Sequence, residues 1–113
     1  VTVTIPIHTV SEANAHTHWR ARYKRAREQR DTVQIVLRAT AAPPGLPCAV
    51  TMTRIAPRAL DDDNLVGALK HVRDGVADWL CINDRDSRVS WTCAQRRGAA
   101  RQYAVEVAIV PRA

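Results

Sequence analysis

Five apolar residues, Leu65, Leu69, Val72, Val76 and Trp79, recur at spacings of four, three, four and three. That spacing draws one buried stripe along a helix, and it predicts a helix from about Asp63 to Leu80. A helix with one apolar stripe needs a partner layer. The rest of the chain supplies strands with the complementary period of two: Val1, Val3, Ile5 and Ile7 alternate with Thr2, Thr4 and Pro6, and Cys48, Val50, Met52 and Arg54 alternate with Ala49, Thr51, Thr53 and Ile55. Val89, Trp91 and Cys93 form a third strand, and Tyr103, Val105, Val107 and Ile109 a fourth after a turn at Arg97-Gly98. Ser11 and Asn14 offer caps for a long helix from about Ala15 to Thr40, which Pro43-Pro44-Gly45 ends. The expected architecture is a single α+β domain over residues 1–113, two-layered, with a small mixed sheet of about four strands and two helices in the order βαβαββ.

At 113 residues there is room for one core, which lacks Phe entirely and rests on Val, Leu, Ile, Ala and three Trp. Such a core is modest, and association into a homodimer would add to it. No apolar run approaches the ~20 residues that a membrane helix needs. Three Cys without C-x-x-C spacing suit a reduced, cytoplasmic protein.

Charge narrows the partner. Seventeen Lys and Arg against eleven Asp and Glu leave a formal charge of +6, and fifteen of the cations are Arg, whose planar fork suits phosphate. Arg20, Arg22, Lys24 and Arg27, on the first half of the long helix, are the expected DNA-phosphate contacts, and the apolar second half, Val33 to Leu37, is the expected anchor. His16 and His18 read as polar surface or DNA contacts. Trp79 and Trp91 read as core, and Trp19 as buried against the sheet more than as a stacking platform.

Seven of the eleven acids lie between Asp61 and Asp86. Asp61-Asp62-Asp63-Asn64 stands where a loop enters a helix. One carboxylate suffices to cap a helix, whereas three repel one another unless a cation sits among them. If Asp61 and Asp63 flank one position of an extended segment, they point to the same side and can hold a hard cation. On one continuous helix, Lys70 and Asp74 would share a face with Asp63, and Gly67 would leave the approach to it open. A second pair, Asp84 and Asp86, lies in the loop before the third strand. If the two loops converge, Asp61, Asp63 and either Asp84 or Asp86 would hold Mg²⁺, with Lys70 offsetting charge on a phosphate.

Residues 61–89 resemble the RusA-type Holliday junction resolvases, the crossover junction endodeoxyribonucleases common in prophages. The resemblance is carried by Asp61-Asp62-Asp63-Asn64-Leu65, by the Asp74-Gly75-Val76-Ala77-Asp78-Trp79-Leu80 helix end, and by Asn83-Asp84-Arg85-Asp86-Ser87-Arg88-Val89. It implies a Mg²⁺-dependent homodimer, with Mn²⁺ able to substitute, that resolves four-way DNA junctions by paired nicking. By motif position Asp61 and Asp63 match the paired acids, and Asp86, with Asp84 as its competitor, matches the third. The family's Lys falls where this chain has Gly67; Lys70, one turn on, stands in for it in the D-D-D-N-L-x-x-x-L-K variant. The alternative is a branched-DNA-binding module that has lost catalysis.

Overall fold

Alternation of apolar and polar residues builds the sheet. In the computed structural model, which describes residues 1–10 and 19–112, β1 (Thr2–Ile5) buries Val3 and Ile5 and exposes Thr2 and Thr4. Strand β2 (Cys48–Ala56) buries Cys48, Val50 and Met52, and β4 (Ala104–Pro111) buries Val105, Val107 and Ile109. Strand β3 (Val89–Arg97) buries Val89 and half-buries Trp91 and Cys93. The spatial order is β1-β4-β2-β3, with β4 antiparallel to β1 and to β2, and β2 parallel to β3. A parallel pair needs a crossover to carry the chain back to the same end of the sheet. Here α2 (Asp62–Ala68) and α3 (Lys70–Leu80) form it.

The stripe Leu65, Leu69, Val72, Val76, Trp79 is buried throughout, as its spacing requires. It does not lie on one helix. The chain turns at Leu69 (φ −96°, ψ 0°), which ends α2 and starts α3. Hydrogen bonds of helical reach continue on both sides, from Leu69 N–H to Leu65 O at 3.1 Å and from Arg73 N–H to Leu69 O at 2.9 Å. The domain is therefore α+β with a four-stranded mixed sheet and three helices, ordered βαβααββ where two helices and βαβαββ were expected. Different partners account for the turn: α2 contacts β3, while α3 packs on α1 (Trp19–Thr40).

Helix α1 buries Gln29, Val33 and Leu37, a narrow stripe at every fourth residue. Every residue from Trp19 to Lys24 is exposed, so the basic first turns stand clear of the body while the second half anchors. Where α1 crosses α3 the backbones nearly touch: a Cβ placed on Gly75 would lie 2.7 Å from Arg30 O and 2.7 Å from Val33 Cβ. One turn along, the Arg30 guanidinium donates to both carboxylate oxygens of Asp78, at 2.5 and 2.7 Å. That hydrogen-bonded pair holds the Asp78 carboxyl below the usual range and pushes the Arg30 guanidinium higher.

Helix α3 ends on Cys81 in the left-handed region (φ 58°, ψ 41°). Cys81 N–H donates to Asp78 O and Ile82 N–H to Ala77 O, each at 3.1 Å, a closure usually built on Gly. It delivers the chain into the second acidic loop. Ser11, Asn14, His16 and His18 lie outside the described residues.

Candidate metal and nucleic-acid site

The backbone that leads to the first acidic cluster is held by three side chains. Arg54 Nη1 donates to Arg58 O at 2.7 Å, Arg97 Nε donates to Pro57 O at 3.2 Å, and Gln95 grips Leu60 twice. Gln95 Oε1 accepts from Leu60 N–H at 2.9 Å and its Nε2 donates to Leu60 O at 2.8 Å, so one side-chain amide does what a neighbouring strand would do. Arg54 is itself only 6% exposed, with Thr9 Oγ1 accepting from its Nε at 3.1 Å. Burial lowers its pKa, since the charged form is the one that loses solvent. Replacing Gln95 by Leu is expected to leave the Leu60 N–H and C=O without partners, costing about 1–2 kcal/mol. Amide hydrogen exchange should then speed up at Leu60 and Asp61 while the helix core stays protected.

Asp61 occupies the N-cap of α2 with extended backbone (φ −61°, ψ 156°), yet its side chain makes no capping hydrogen bond. Asp62 and Asp63 follow in the first helical turn. This corrects the expectation that Asp61 and Asp63 flank an extended segment, because only Asp61 is extended. All three carboxylates are exposed, and among the described residues none pairs with a cation. The helix start offers them partial positive charge and nothing more.

Lys70 opens α3, exposed and likewise without an ion pair among the described residues. Asp63 lies on α2 whereas Lys70 and Asp74 lie on α3, beyond the turn at Leu69, so the three do not share one continuous helix. Asp74 instead faces His71, with Oδ2 3.9 Å from Nδ1. Gly67 does leave an opening, since among the described residues no atom beyond its chain neighbours and its own helix backbone lies within 4 Å of where its Cβ would stand.

In the second loop the two acids are treated differently. Asp86 is engaged by Arg88 through Nη2 at 2.6 Å, Nε at 3.0 Å and the backbone N–H at 2.9 Å. These bonds favour the ionised form and hold its pKa down to about 2. Arg88→Ala is expected to return Asp86 towards the ordinary value of about 3.9, read from a carboxyl NMR titration. Because the folded-state pKa is the lower one, the pair's contribution is present above the ordinary carboxylate range and fades as pH falls towards 2. Asp84, by contrast, is held by its backbone: Arg73 Nη2 donates to Asp84 O at 2.8 Å, and Arg73 Nε stands 3.9 Å from Asp84 Oδ2. Arg73 also lies over the Trp91 ring, 4.7 Å from its centroid. Asp84, Arg73, Lys70 and Gly67 line one cavity of about 310 Å³.

The structure thus sets Lys70 and Asp84 on the wall of one cavity and ties Asp86 to Arg88. No group of three or more His, Cys, Asp or Glu side chains stands ready to hold a metal ion among the described residues. The expected convergence of Asp61, Asp63 and a loop acid into one such group is therefore not present. Arg88 accounts for Asp86, because an arginine fork satisfies both oxygens of the carboxylate.

Arg20, Arg22, Lys24 and Arg27 are all exposed on α1, with Lys24 Nζ 3.9 Å from Glu28. Trp79 is buried as expected and Trp91 is half-buried under Arg73. Trp19, expected to be buried, is 66% exposed with Arg20 over its ring at 5.4 Å, because it sits on the part of α1 that stands clear of the sheet. Sequence reasoning overlooked Arg73, Arg88, Gln95 and Tyr23. Only Arg88, two residues from Asp86, carried a local signal. Among the described residues no helix is long and apolar enough to cross a membrane, and Cys48, Cys81 and Cys93 are free thiols. In comparisons with known proteins the chain matches no family model and none of the curated proteins.

Proposed function

We propose that the chain is a magnesium-dependent endonuclease of RusA type that nicks branched DNA, acting as a homodimer. The observation that supports this most is Asp61: it stands in a capping position without capping, beside two further exposed carboxylates that have no cationic partner among the described residues. Three such groups in a row are costly for stability alone and suit a hard cation. The donor chemistry fits Mg²⁺, which needs one or two carboxylates and keeps much of its water. Asp61 and Asp63 would hold it; Asp84 or Asp86 would become a further ligand only on a movement that brings the second loop to the first, and Asp86 only when Arg88 also releases it. When bound, the ion supplies Lewis acidity at the phosphate and a more acidic water. Lys70 offsets charge on the phosphate from the cavity it shares with Asp84. Arg20, Arg22, Lys24 and Arg27 track neighbouring phosphates, so binding weakens steeply with salt. The free thiols suit a reducing, cytoplasmic setting.

One observation favours a second reading, a branched-DNA-binding module without catalysis: the Asp86 carboxylate is already satisfied by Arg88. End-labelled four-way junction and linear duplex, incubated in Mg²⁺ and then in EDTA, separate the two. Paired nicks that require Mg²⁺ and spare the duplex establish the nuclease; tight junction binding without cuts establishes the binding module.

A further inference from the structure

We propose that the groove between α1 and α3 receives an unpaired base of a nucleic-acid strand, with Tyr23 as its stacking partner. This deepens the branched-DNA reading and rests on it for its setting. Tyr23 is 63% exposed, one helical turn after the exposed Trp19, so two aromatic rings project from the same side of α1. Together with Arg22, Ala26, Gly67, Lys70 and His71, Tyr23 lines a cavity of about 380 Å³. The small lining residues matter as much as the ring: Ala26 and Gly67 carry little side chain into the groove, and among the described residues no atom beyond its chain neighbours and its own helix backbone stands within 4 Å of a Cβ placed on Gly67. A second cavity of about 400 Å³ continues past Tyr23 to Arg27 and Arg30, where Asp31 and Asp74 also line it. Those two acids repel phosphate. Lys70 lines both cavities, and the backbone of a bound strand is therefore held towards the Arg22 end, where among the described residues no carboxylate lines the groove.

The occupant follows from charge and shape. Residues 19–28 carry five cations against the single acid Glu28, so two copies of this face repel each other, whereas a polyanion is attracted. Within duplex DNA the faces of the bases are stacked on one another, and an aromatic ring in a groove can reach only a base that is unpaired. Stacking of this kind tolerates any base, because each has a π face. A branch point interrupts the stack, so the pairs at its centre open to give such a base at lower cost than pairs within a duplex arm.

The test measures binding alone, by fluorescence anisotropy in EDTA, of a short labelled oligothymidylate and of an equally long strand of abasic units. The wild-type chain is expected to prefer the thymidylate. Tyr23→Ala should weaken thymidylate binding by about tenfold or more with the abasic strand changed by less than about twofold, and Tyr23→Phe should keep the preference. Since Tyr23 is exposed, both variants should unfold at the wild-type temperature. Equal binding of the two strands by the wild type, or equal losses on both strands in Tyr23→Ala, overturns the proposal. So does a Tyr23→Ala chain that loses self-association in sedimentation while keeping its thymidylate preference, which assigns the face to a second copy. Base preference that depends on Tyr23 in a chain that cuts no junction supports the groove and removes the nuclease reading; junction cleavage without base preference removes the groove alone.

Discussion

If the chain is the proposed nuclease, Asp63→Asn is expected to lower Mg²⁺-dependent cleavage of a four-way junction by at least about a hundredfold and to leave junction affinity within about twofold. The substitution keeps the size of the side chain and removes one charged oxygen donor. Asp63 is exposed in the first turn of α2, so the cost to the fold is confined to its favourable interaction with the helix start, about 0.3–1 kcal/mol, offset by relief of repulsion from Asp61 and Asp62. Cleavage and binding are read on the same labelled junction. Cleavage that survives the substitution excludes Asp63 from the chemistry.

The largest effect on stability is expected from Gly75→Val. A Cβ there meets the carbonyl oxygen of Arg30 and the Cβ of Val33, neither of which is the flexible end of a side chain. Helices α1 and α3 must separate, drawing apart the Arg30–Asp78 pair one turn away. Overpacking of this kind costs about 3 kcal/mol, a fall in Tm on the order of 10–20 °C by calorimetry or circular dichroism. Gly67→Ala is the control of opposite sign: its surroundings are open, and it should add about 0.5–1 kcal/mol through helix propensity alone. The two glycines look alike in sequence, eight positions apart, and differ only in what faces them. Acid should act on the same interface. The Asp78 carboxyl titrates below its ordinary range, so its pairing with Arg30 stabilises the fold above that range and is lost as pH falls through the lowered value.

Much of the fold was legible because burial leaves a local period. The stripe from Leu65 to Trp79, the alternation in β1, β2 and β4, and the anchoring half of α1 all follow from which side of an element meets the core. The turn at Leu69 was invisible for the same reason: Leu69 is itself buried, so the apolar spacing runs through the turn unbroken. What decides the turn is that α2 and α3 serve different partners, which no local pattern records. At the site, the aspartates and Lys70 stood out as residue types, whereas their alliances did not. Whether Asp86 faces a cation site or Arg88, and whether Asp84 is held through its carboxylate or its carbonyl by Arg73, depends on loop geometry between residues two and eleven apart. Gln95 is a polar residue near a strand end, and nothing in the chain announces that it stands in for a missing strand beside Leu60.

The placement of β4 has a consequence for biosynthesis. It lies between β1 and β2, although its residues 104–111 come off the ribosome after both. Until they emerge, β1 has no hydrogen-bonding neighbour and β2 has only β3, so a nascent chain cannot close its sheet piecemeal. Closure of the sheet must await residues 104–111. An interrupted translation product would leave the edges of β1 and β2 that β4 pairs with open, an invitation to chaperones and proteases that the finished sheet withdraws.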